Sequence, residues 1–348
     1  MRVLHVLDAL DPAGEAGAYA DMLRHLPATD THDVAVLGAA PPSAGRQRVV
    51  AAPTAEALST LLRDGGYGIT CVTSYQTASL VVPIVSTSLP TRAVYWKSYD
   101  ESARLRLGGS YASSTDDALL ASSDHVAFAT YELASLYDLP AGAAATVIGL
   151  AADIAPFVAL RPPAATDTNC VLALGGTASR RHVRDLVAAL AIVRRAVPDA
   201  TVRVFGPGDG DDASRLAHAA DEAGLAGACA VAGGDAAIAE ELAHARIVAA
   251  PPGAPGSPVP LVESLAAGRP VVTTDPGHAT TVIDDGVEGF LVPTGDIEGL
   301  AARLTTLLTN HALAATMGRA GRRRAARYSL ETTAARLAAL LASVGDGR

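Results

Sequence analysis

Acidic side chains follow the first predicted strand of the chain, with a spacing suited to binding a polar substrate. Asp11 and Glu15 lie in a loop that also carries Gly14 and Gly17. Their carboxylates can accept hydrogen bonds from hydroxyl groups or hold an ammonium group, and glycine lets the backbone come close to a bound molecule. We predict that Asp11, Gly14 and Glu15 form one wall of a substrate pocket.

The single lysine of the chain lies in a second cluster. Lys97 is followed by Tyr99 and Asp100 at the carboxyl end of another predicted strand, and ligands of parallel α/β proteins bind at that edge of the sheet. We predict that Lys97, Tyr99 and Asp100 line the same pocket. The alternative for Lys97 is a structural ion pair with Asp100 or Glu101.

A helix that leads directly into a buried strand supplies a third candidate. Pro258 and Pro260 favour a helix start, Gly268 fits the C′ position at its end, and Pro270 leads into the strand that follows. Glu263 lies in the first two turns, where a carboxylate complements the positive end of the helix dipole. The residues alone leave two roles open for Glu263, a helix cap and a ligand-binding group.

Common cofactor and metal motifs are absent from the sequence or weak. Neither the segment after the first strand nor the segment 175–179 has the Gly-x-Gly-x-x-Gly spacing of a nicotinamide-binding turn, and the P-loop pattern is missing. The nine histidines include no His-x3-His pair, which argues against zinc. Asp209 and Asp211 have a spacing that can bind divalent cations, but they follow a Gly-Pro-Gly loop at 206–208. We expect no metal ion and no bound cofactor.

The elements that must position these residues alternate along the chain. Short β-rich runs alternate with helical patterns, which is typical of parallel α/β layers, and near-continuous apolar runs indicate sheets covered on both faces. The predicted strands are 3–7, 33–37, 69–74, 93–96, 125–130 and 146–148 in the first half, and 170–174, 201–205, 228–232, 246–250, 270–274 and 289–292 in the second. We predict two doubly wound, Rossmann-like α/β domains at residues 1–158 and 169–327.

The segments outside the two predicted domains have their own composition. Residues 159–168 are rich in Pro, Ala and Thr, and we interpret them as the linker. A helical pattern spans 313–341, and we expect the C-terminal helix, residues 328–348, to pack back on the first domain. The pattern carries a cluster of arginines, which is either a solvated helix face or an anion site: Arg319, Arg322, Arg323, Arg324 and Arg327.

Composition narrows the class of protein further. Apolar residues make up 49% and charged residues 18% of the 348 residues, as in a globular protein. Residues 1–160 contain nine basic and 16 acidic side chains, which argues against nucleic acids and anionic membranes as partners. No apolar run of 18 residues occurs, and the three cysteines have no Cys-x-x-Cys spacing. We expect a cytoplasmic monomer or homodimer without stable membrane association.

The segment around Glu263 resembles the retaining GT-B glycosyltransferases of family 4, the glycosyl transferases group 1. In that family a Glu-x7-Glu motif is followed by Ala-x-Gly-x-Pro-Val-Val, and Glu263 falls on the second glutamate. Downstream, the family's Asp-Gly-x-x-Gly-x-Leu-Val matches the segment 285–292. The resemblance covers nearly the whole chain and implies a GT-B fold, with two Rossmann-like domains that face each other across a cleft.

The resemblance also implies which residues bind a nucleotide-sugar donor. Glu263 would hold the ribose, and the start of its helix, with the backbone N–H groups of Leu261 and Val262, would face the diphosphate. A family lysine falls on Arg181, so Arg180 and Arg181 would neutralise the leaving diphosphate. The other donor contacts would come from the backbone at Gly175, Gly206, Gly233 and Gly234, the last two near the base. The first-domain residues described above would then bind the acceptor.

Several positions depart from the family pattern. Pro255 stands where the family has its first glutamate, Gly176 replaces an arginine, and the histidine of the first domain is missing. We expect a metal-independent glycosyltransferase that acts with retention on a small soluble acceptor in specialised, natural-product metabolism. The alternative is a pseudo-glycosyltransferase or a non-catalytic nucleotide-binding scaffold with an eroded donor site. An epimerase on the same fold would need a paired acid and base that have no counterpart here.

Overall fold

The computed structural model describes residues 1–8, 15–37, 47–52, 54–97, 113–135, 137, 139–161, 168–175, 180–206, 211–232, 238–250, 258–273 and 279–346. It describes the backbone alone for residues 15–17, 87–88, 113–117, 132, 180–182 and 212. The chain divides into two compact units, residues 1–153 with 327–348, and residues 154–326. The change of unit at residue 153 thus precedes the segment 159–168 that we interpret as the linker.

The first unit is built on a parallel sheet. Within the described residues the sheet has seven strands in the order β3-β2-β1-β4-β5-β6-β7. The strands are β1 (Arg2–Leu7), β2 (Thr31–Val36), β3 (Arg48–Ala51), β4 (Ile69–Val72), β5 (Arg92–Lys97), β6 (His125–Phe128) and β7 (Ala145–Val147). Its helices are α1 (Glu15–Leu23), α2 (Ala55–Asp64), α3 (Tyr75–Ser88), α4 (Ser113–Ser122), α5 (Tyr131–Ser135) and the C-terminal α14 (Leu330–Gly345).

Side-chain alternation divides the core of the first unit between the two faces of its sheet. Val3 and Trp96 belong to an apolar cluster that includes Leu337 of α14, whereas Leu4 and Tyr95 belong to a second cluster that α2 and α3 help to form. Successive side chains of a strand point to opposite faces, so neighbouring residues enter different clusters. Both faces are therefore covered, as the apolar strand pattern predicts.

The second unit repeats this plan. Within the described residues its sheet has six parallel strands in the order β10-β9-β8-β11-β12-β13. The strands are β8 (Cys170–Leu174), β9 (Thr201–Phe205), β10 (Cys229–Val231), β11 (Ile247–Ala250), β12 (Val271–Thr273) and β13 (Gly289–Leu291). The helices are α6 (Ala155–Val158), α7 (Arg180–Val193), α8 (Asp212–Glu222), α9 (Ile238–His244), α10 (Val259–Ala266), α11 (Ala279–Val282), α12 (Ile297–Thr309) and α13 (His311–Ala325). Two parallel-sheet, Rossmann-like α/β units confirm the predicted fold class.

The structure differs from the sequence prediction at two elements. Strand β3 was not predicted, because it is a short edge strand whose side chains are half-buried or exposed, so it lacks the apolar run that marks the other strands. The helical pattern over 313–341 is divided between two helices, α13 and α14, and the second lies within the C-terminal helix predicted at 328–348. A 3₁₀ turn at Ala326–Tyr328 ends α13, and Ser329 then takes an extended conformation and caps α14 by accepting a hydrogen bond from the Thr332 N–H at 3.2 Å.

Candidate functional site

Two glycines end neighbouring strands at the carboxyl edge of the second sheet. Gly175 follows β8 with φ +110°, and Gly206 follows β9 with φ +137°. The Gly175 N–H donates to the Phe205 carbonyl at 3.1 Å, so the two turns lie side by side. A Cβ at Gly175 would meet no atom within 4 Å, so there is room for a side chain. Glycine is required there because of the positive φ of the backbone. The structure thus brings together two of the glycines predicted to bind the donor.

Helix α10, which carries Glu263, is the next described element after β11. Pro258 precedes the helix and Pro260 lies in its first turn, and proline has no N–H to offer a ligand. The N–H groups of Leu261 and Val262 both donate to the Pro258 carbonyl, at 3.0 and 3.2 Å. Both N–H groups are thus engaged within the first turn of the helix, where such groups usually lack a partner in the helix, and their role as diphosphate ligands stays a prediction.

Glu263 is held in the second turn of α10. Val262, Ser264 and Leu265 on either side of it are buried, whereas Glu263 itself is half-buried. The Ser264 hydroxyl donates to the Pro260 carbonyl at 2.7 Å, and the Glu263 carbonyl accepts from the Ala267 N–H at 2.9 Å. Packing on both sides thus fixes the rotation of the helix and the direction in which Glu263 leaves it.

The end of α10 agrees with the sequence prediction. Ala267 caps the helix, and Gly268 occupies the C′ position with φ +72°, which confirms the glycine stop. Arg269 follows and is fully buried, and Arg322 of α13 approaches Gly268 so closely that a Cβ there would lie 2.7 Å from Arg322 Nε. Neither arginine contact could be predicted from the sequence, because both depend on elements far apart along the chain.

The other predicted site residues are described only in part. Arg180 and Arg181 begin α7 and Glu15 begins α1, and the structure describes only their backbone. The remaining predicted residues lie outside the described residues: Asp11, Gly14, Tyr99, Asp100, Gly233 and Gly234, together with Pro255. Their roles stay predictions.

Lys97 lies at the carboxyl end of β5, as predicted, but its side chain is buried with 2% exposure. Its Nζ lies 5.5 Å from the ring centre of Tyr95 and 5.6 Å from that of Tyr137, distances at which an aromatic face attracts a cation. Tyr95 precedes Lys97 by two residues, so strand alternation could have indicated this pair. Tyr137 follows α5 and could not have been identified from the sequence. The residues of the alternative ion pair lie outside the described residues.

A buried polar chain in the first unit was not predicted. His5 Nδ1 lies 2.9 Å from the Tyr19 hydroxyl, and His5 Nε2 lies 3.0 Å from His32 Nδ1; the Tyr19 hydroxyl also hydrogen-bonds the Cys71 thiol. Burial, reinforced by His32, holds the pKa of His5 well below its usual value. Burial raises the pKa of Cys71 to about 12 and also raises that of Tyr19. These groups are therefore neutral at pH 7, and Cys71 lacks the thiolate character of a nucleophile.

Two kinds of feature are absent from the described residues. No group of three or more His, Cys, Asp or Glu side chains is arranged there to hold a metal ion. No helix in the part of the chain that the structure describes is both long and apolar enough to span a bilayer.

Comparison with solved structures identifies the fold. HepE from Anabaena, solved in complex with UDP and glucose, superposes with a TM-score of 0.76 at 18% identity, covering 99% of this chain and 100% of that chain. Sucrose-phosphate synthase from Thermosynechococcus elongatus gives a TM-score of 0.75 at 16% identity, with 100% of both chains covered. The two Rossmann-like units match these GT-B glycosyltransferases over nearly their whole length.

Sequence comparison covers only part of the chain. A phosphatidyl-myo-inositol mannosyltransferase from Mycolicibacterium smegmatis is 32% identical over 162 residues, which cover 45% of this chain and 40% of that protein. The putative glycosyltransferase EpsD of Bacillus subtilis is 25% identical over 166 residues, or 48% of this chain and 43% of EpsD. The chain thus spans less than half the length of these curated relatives. The family model of the glycosyl transferases group 1 matches residues 161–324, which lie within the second unit, residues 154–326.

Proposed function

We propose that this protein transfers a sugar from a nucleoside-diphosphate sugar to an acceptor hydroxyl group, with retention of configuration at the sugar C1. One observation carries the proposal. Glu263, the residue that matches the family's second glutamate, lies inside the matched segment 161–324 on a helix that follows the carboxyl end of a parallel strand. Ligands of parallel α/β proteins bind at that edge of the sheet.

In the proposed reaction the bond between the sugar C1 and the diphosphate oxygen breaks, and a bond from C1 to the acceptor oxygen forms. The acceptor hydroxyl gives its proton to the departing diphosphate, and the nucleoside diphosphate leaves as an anion. Arg180 and Arg181 would neutralise this leaving group, and the dipole of α10 would add positive potential at its first turn. Glu263 would accept hydrogen bonds from the ribose hydroxyl groups. The donor would need no metal ion, because arginines supply the positive charge.

For the acceptor we propose a small soluble molecule of specialised metabolism. The support is the excess of acidic side chains in residues 1–160, 16 against nine basic ones, which disfavours an anionic lipid surface. The names of two relatives point to other acceptors, a phosphatidyl-myo-inositol and, for a galactosyltransferase of similar structure, the lipopolysaccharide outer core. The turnover experiment below therefore compares several classes of acceptor.

A non-catalytic, nucleotide-binding scaffold is the second candidate. Pro255 removes the carboxylate that the family places eight residues before Glu263, and the N–H groups of Leu261 and Val262 are already engaged within α10. Both observations favour a donor site that differs from the usual one. A scaffold would bind a nucleoside diphosphate without turning over any nucleotide sugar.

Titration calorimetry with UDP, and separately with GDP, tests the donor site. A charged hydrogen bond contributes about 1.5–3 kcal/mol, so Glu263→Ala should weaken binding about tenfold or more. Glu298→Ala is the matched control, because Glu298 is an exposed glutamate in the first turn of α12, and its substitution should leave the affinity unchanged. Equal affinity of wild type and Glu263→Ala would overturn the assignment of Glu263.

Turnover separates the two candidates. The wild-type protein is incubated with a panel of UDP- and GDP-sugars and three acceptor classes: small soluble alcohols and glycosides, phosphatidylinositol in detergent micelles, and oligosaccharides. Release of nucleoside diphosphate with any acceptor supports transfer, and the anomeric configuration of the product, read by NMR, tests retention. Nucleotide binding without release across the panel supports the scaffold and contradicts the transferase.

A further inference from the structure

Arg269 is a buried cation that backbone carbonyls surround. Its side chain has 0% exposure, and it donates from Nε to Leu242 O at 2.8 Å, from Nη1 to Ala267 O at 3.1 Å and from Nη2 to Arg161 O at 3.1 Å. Leu242 lies in the last turn of α9, and Ala267 caps α10. The free carbonyls of helix ends carry partial negative charge, so these helix ends compensate the guanidinium in place of a carboxylate.

A second arginine converges on the same helix end. Arg322, in the last turn of α13, donates from Nη2 to Leu160 O at 2.5 Å and lies 3.5 Å from Ala267 O. Burial, and the neighbouring charge of Arg322, lower the pKa of Arg269 to about 10. Arg269 therefore remains charged at neutral pH beside a second guanidinium. Both cations hold the carbonyl that ends α10.

Helix α13 also contacts α11 through an arginine. Arg324 donates from Nη2 to Thr281 O in α11 at 3.0 Å and pairs with Asp284 at 3.3 Å. The arginine cluster of the C-terminal region is therefore not simply a solvated helix face, because its half-buried members, Arg322 and Arg324, donate to the backbone of neighbouring segments. In chain order α10 comes after β11 and α11 after β12, and arginines of α13 bind the C-terminal parts of both helices.

We propose that Arg269 and Arg322 are positioning residues of the donor site, which fix the end of α10 and thereby the place of Glu263. This inference rests on the proposed function. α10 has only eight residues, and the Glu263 carbonyl bonds the Ala267 N–H one turn later. Removing a guanidinium from Ala267 O and the neighbouring carbonyls lets that end of the helix shift, and Glu263 moves with it.

The test measures the affinity for UDP and GDP in a double-mutant cycle. Arg322→Met should raise the Kd of the nucleotide that wild type binds by about tenfold, which corresponds to about 1.4 kcal/mol. In a Glu263→Gln background the same substitution should change the Kd by less than about threefold, because the arginine acts through Glu263. Arg322→Lys keeps one donor for the Leu160 carbonyl, so its Kd should lie between those of wild type and Arg322→Met. If Arg322→Met does not fold, Arg322→Lys takes its place in the cycle.

Two controls separate positioning from general loss of stability. Arg323→Met removes an exposed arginine of the same helix turn and should leave the Kd unchanged. Leu216→Ala removes a side chain with 1% exposure from α8, and it should lower the melting temperature without changing the Kd of the folded protein. Arg269→Met should behave as Arg322→Met does.

Each other outcome has a definite meaning. If wild type binds neither UDP nor GDP, the proposed function fails and the inference fails with it. If wild type binds but Arg322→Met and Arg269→Met bind equally well, the inference alone is overturned. An effect of Arg322→Met that is equally large in both Glu263 backgrounds also overturns it, because the arginine would then act on the fold and not through Glu263.

Discussion

The hydroxyl group of Tyr19 offers a sharp test of the buried polar chain in the first unit. Tyr19→Phe removes the group that lies 2.9 Å from His5 Nδ1 and that also bonds the Cys71 thiol. The phenyl ring can keep the edge-on contact of Tyr19 with Trp96, whose ring centre lies 5.0 Å away. The substitution therefore isolates the hydrogen bonds from the packing of the ring.

The expected loss follows from the burial of His5. The imidazole has 0% exposure, so without the hydroxyl its Nδ1 has no access to water. Leaving a buried polar atom unsatisfied costs about 1–3 kcal/mol, and we expect the free energy of unfolding of the first unit to fall by that amount. In a domain of this size each kcal/mol lowers the melting temperature by about 2–4 °C.

The chain supplies its own probe for this measurement. Trp96 is its single tryptophan, belongs to the first unit and has 4% exposure, so its fluorescence during urea unfolding follows that unit alone. Tyr131→Phe is the matched control, because the Tyr131 side chain has 78% exposure and its hydroxyl can bond water. If Tyr19→Phe and Tyr131→Phe both unfold at the wild-type urea midpoint, the buried hydroxyl adds no net stability and the reasoning is wrong.

Two further predictions concern stability. The pKa values of His5 and His32 are lowered from 6.5 in the folded state, so the unfolded chain binds more protons as the pH falls below that value. The stability of the first unit, fully present above about pH 6.5, should therefore decline toward acid, and equal urea midpoints at about pH 7.5 and pH 5.5 would contradict this. Gly318→Ala in α13 would place a Cβ 2.3 Å from the Gly268 carbonyl oxygen; overpacking of about 1–3 kcal/mol should exceed the gain of about 1 kcal/mol in helix propensity. Thermal unfolding followed by circular dichroism measures the net change in stability. Ala315→Gly, on the exposed face of α13, is the control for helix propensity. A Gly318→Ala variant more stable than wild type would contradict the prediction, because it would show that α13 can move away from Gly268.

The sheets were predictable because burial on both faces leaves a direct mark on the sequence. Strand β8 is apolar at every position and was predicted with its bounds, Cys170–Leu174. Strand β3 left no such mark, because an edge strand that is half-exposed need not be apolar. The break before α14 depends on one residue, Ser329, which favours a cap but is also tolerated within a helix.

The buried polar groups were not predictable, for a different reason. His5 interrupts the apolar run of β1, and from the sequence it could only be recognised as an interruption. Its partners come from α1 and β2, at Tyr19 and His32, and no local pattern links these residues. The carbonyls around Arg269 likewise come from three separate segments. A buried polar residue is satisfied by whichever elements the topology brings to it, so its partners become visible only once the fold is known.

Gly268 shows how a local signal and a tertiary constraint can coincide at one residue. The sequence predicts glycine there because the C′ position needs a left-handed conformation, and φ is +72°. The structure adds that any side chain would meet Arg322 Nε at 2.7 Å, so an asparagine, which tolerates that conformation, would still displace the guanidinium. The same absence of a Cβ that ends α10 therefore also admits the cation that holds its last carbonyl. If Glu263 binds the donor, the affinity of the site depends on this helix end as well as on the first turn.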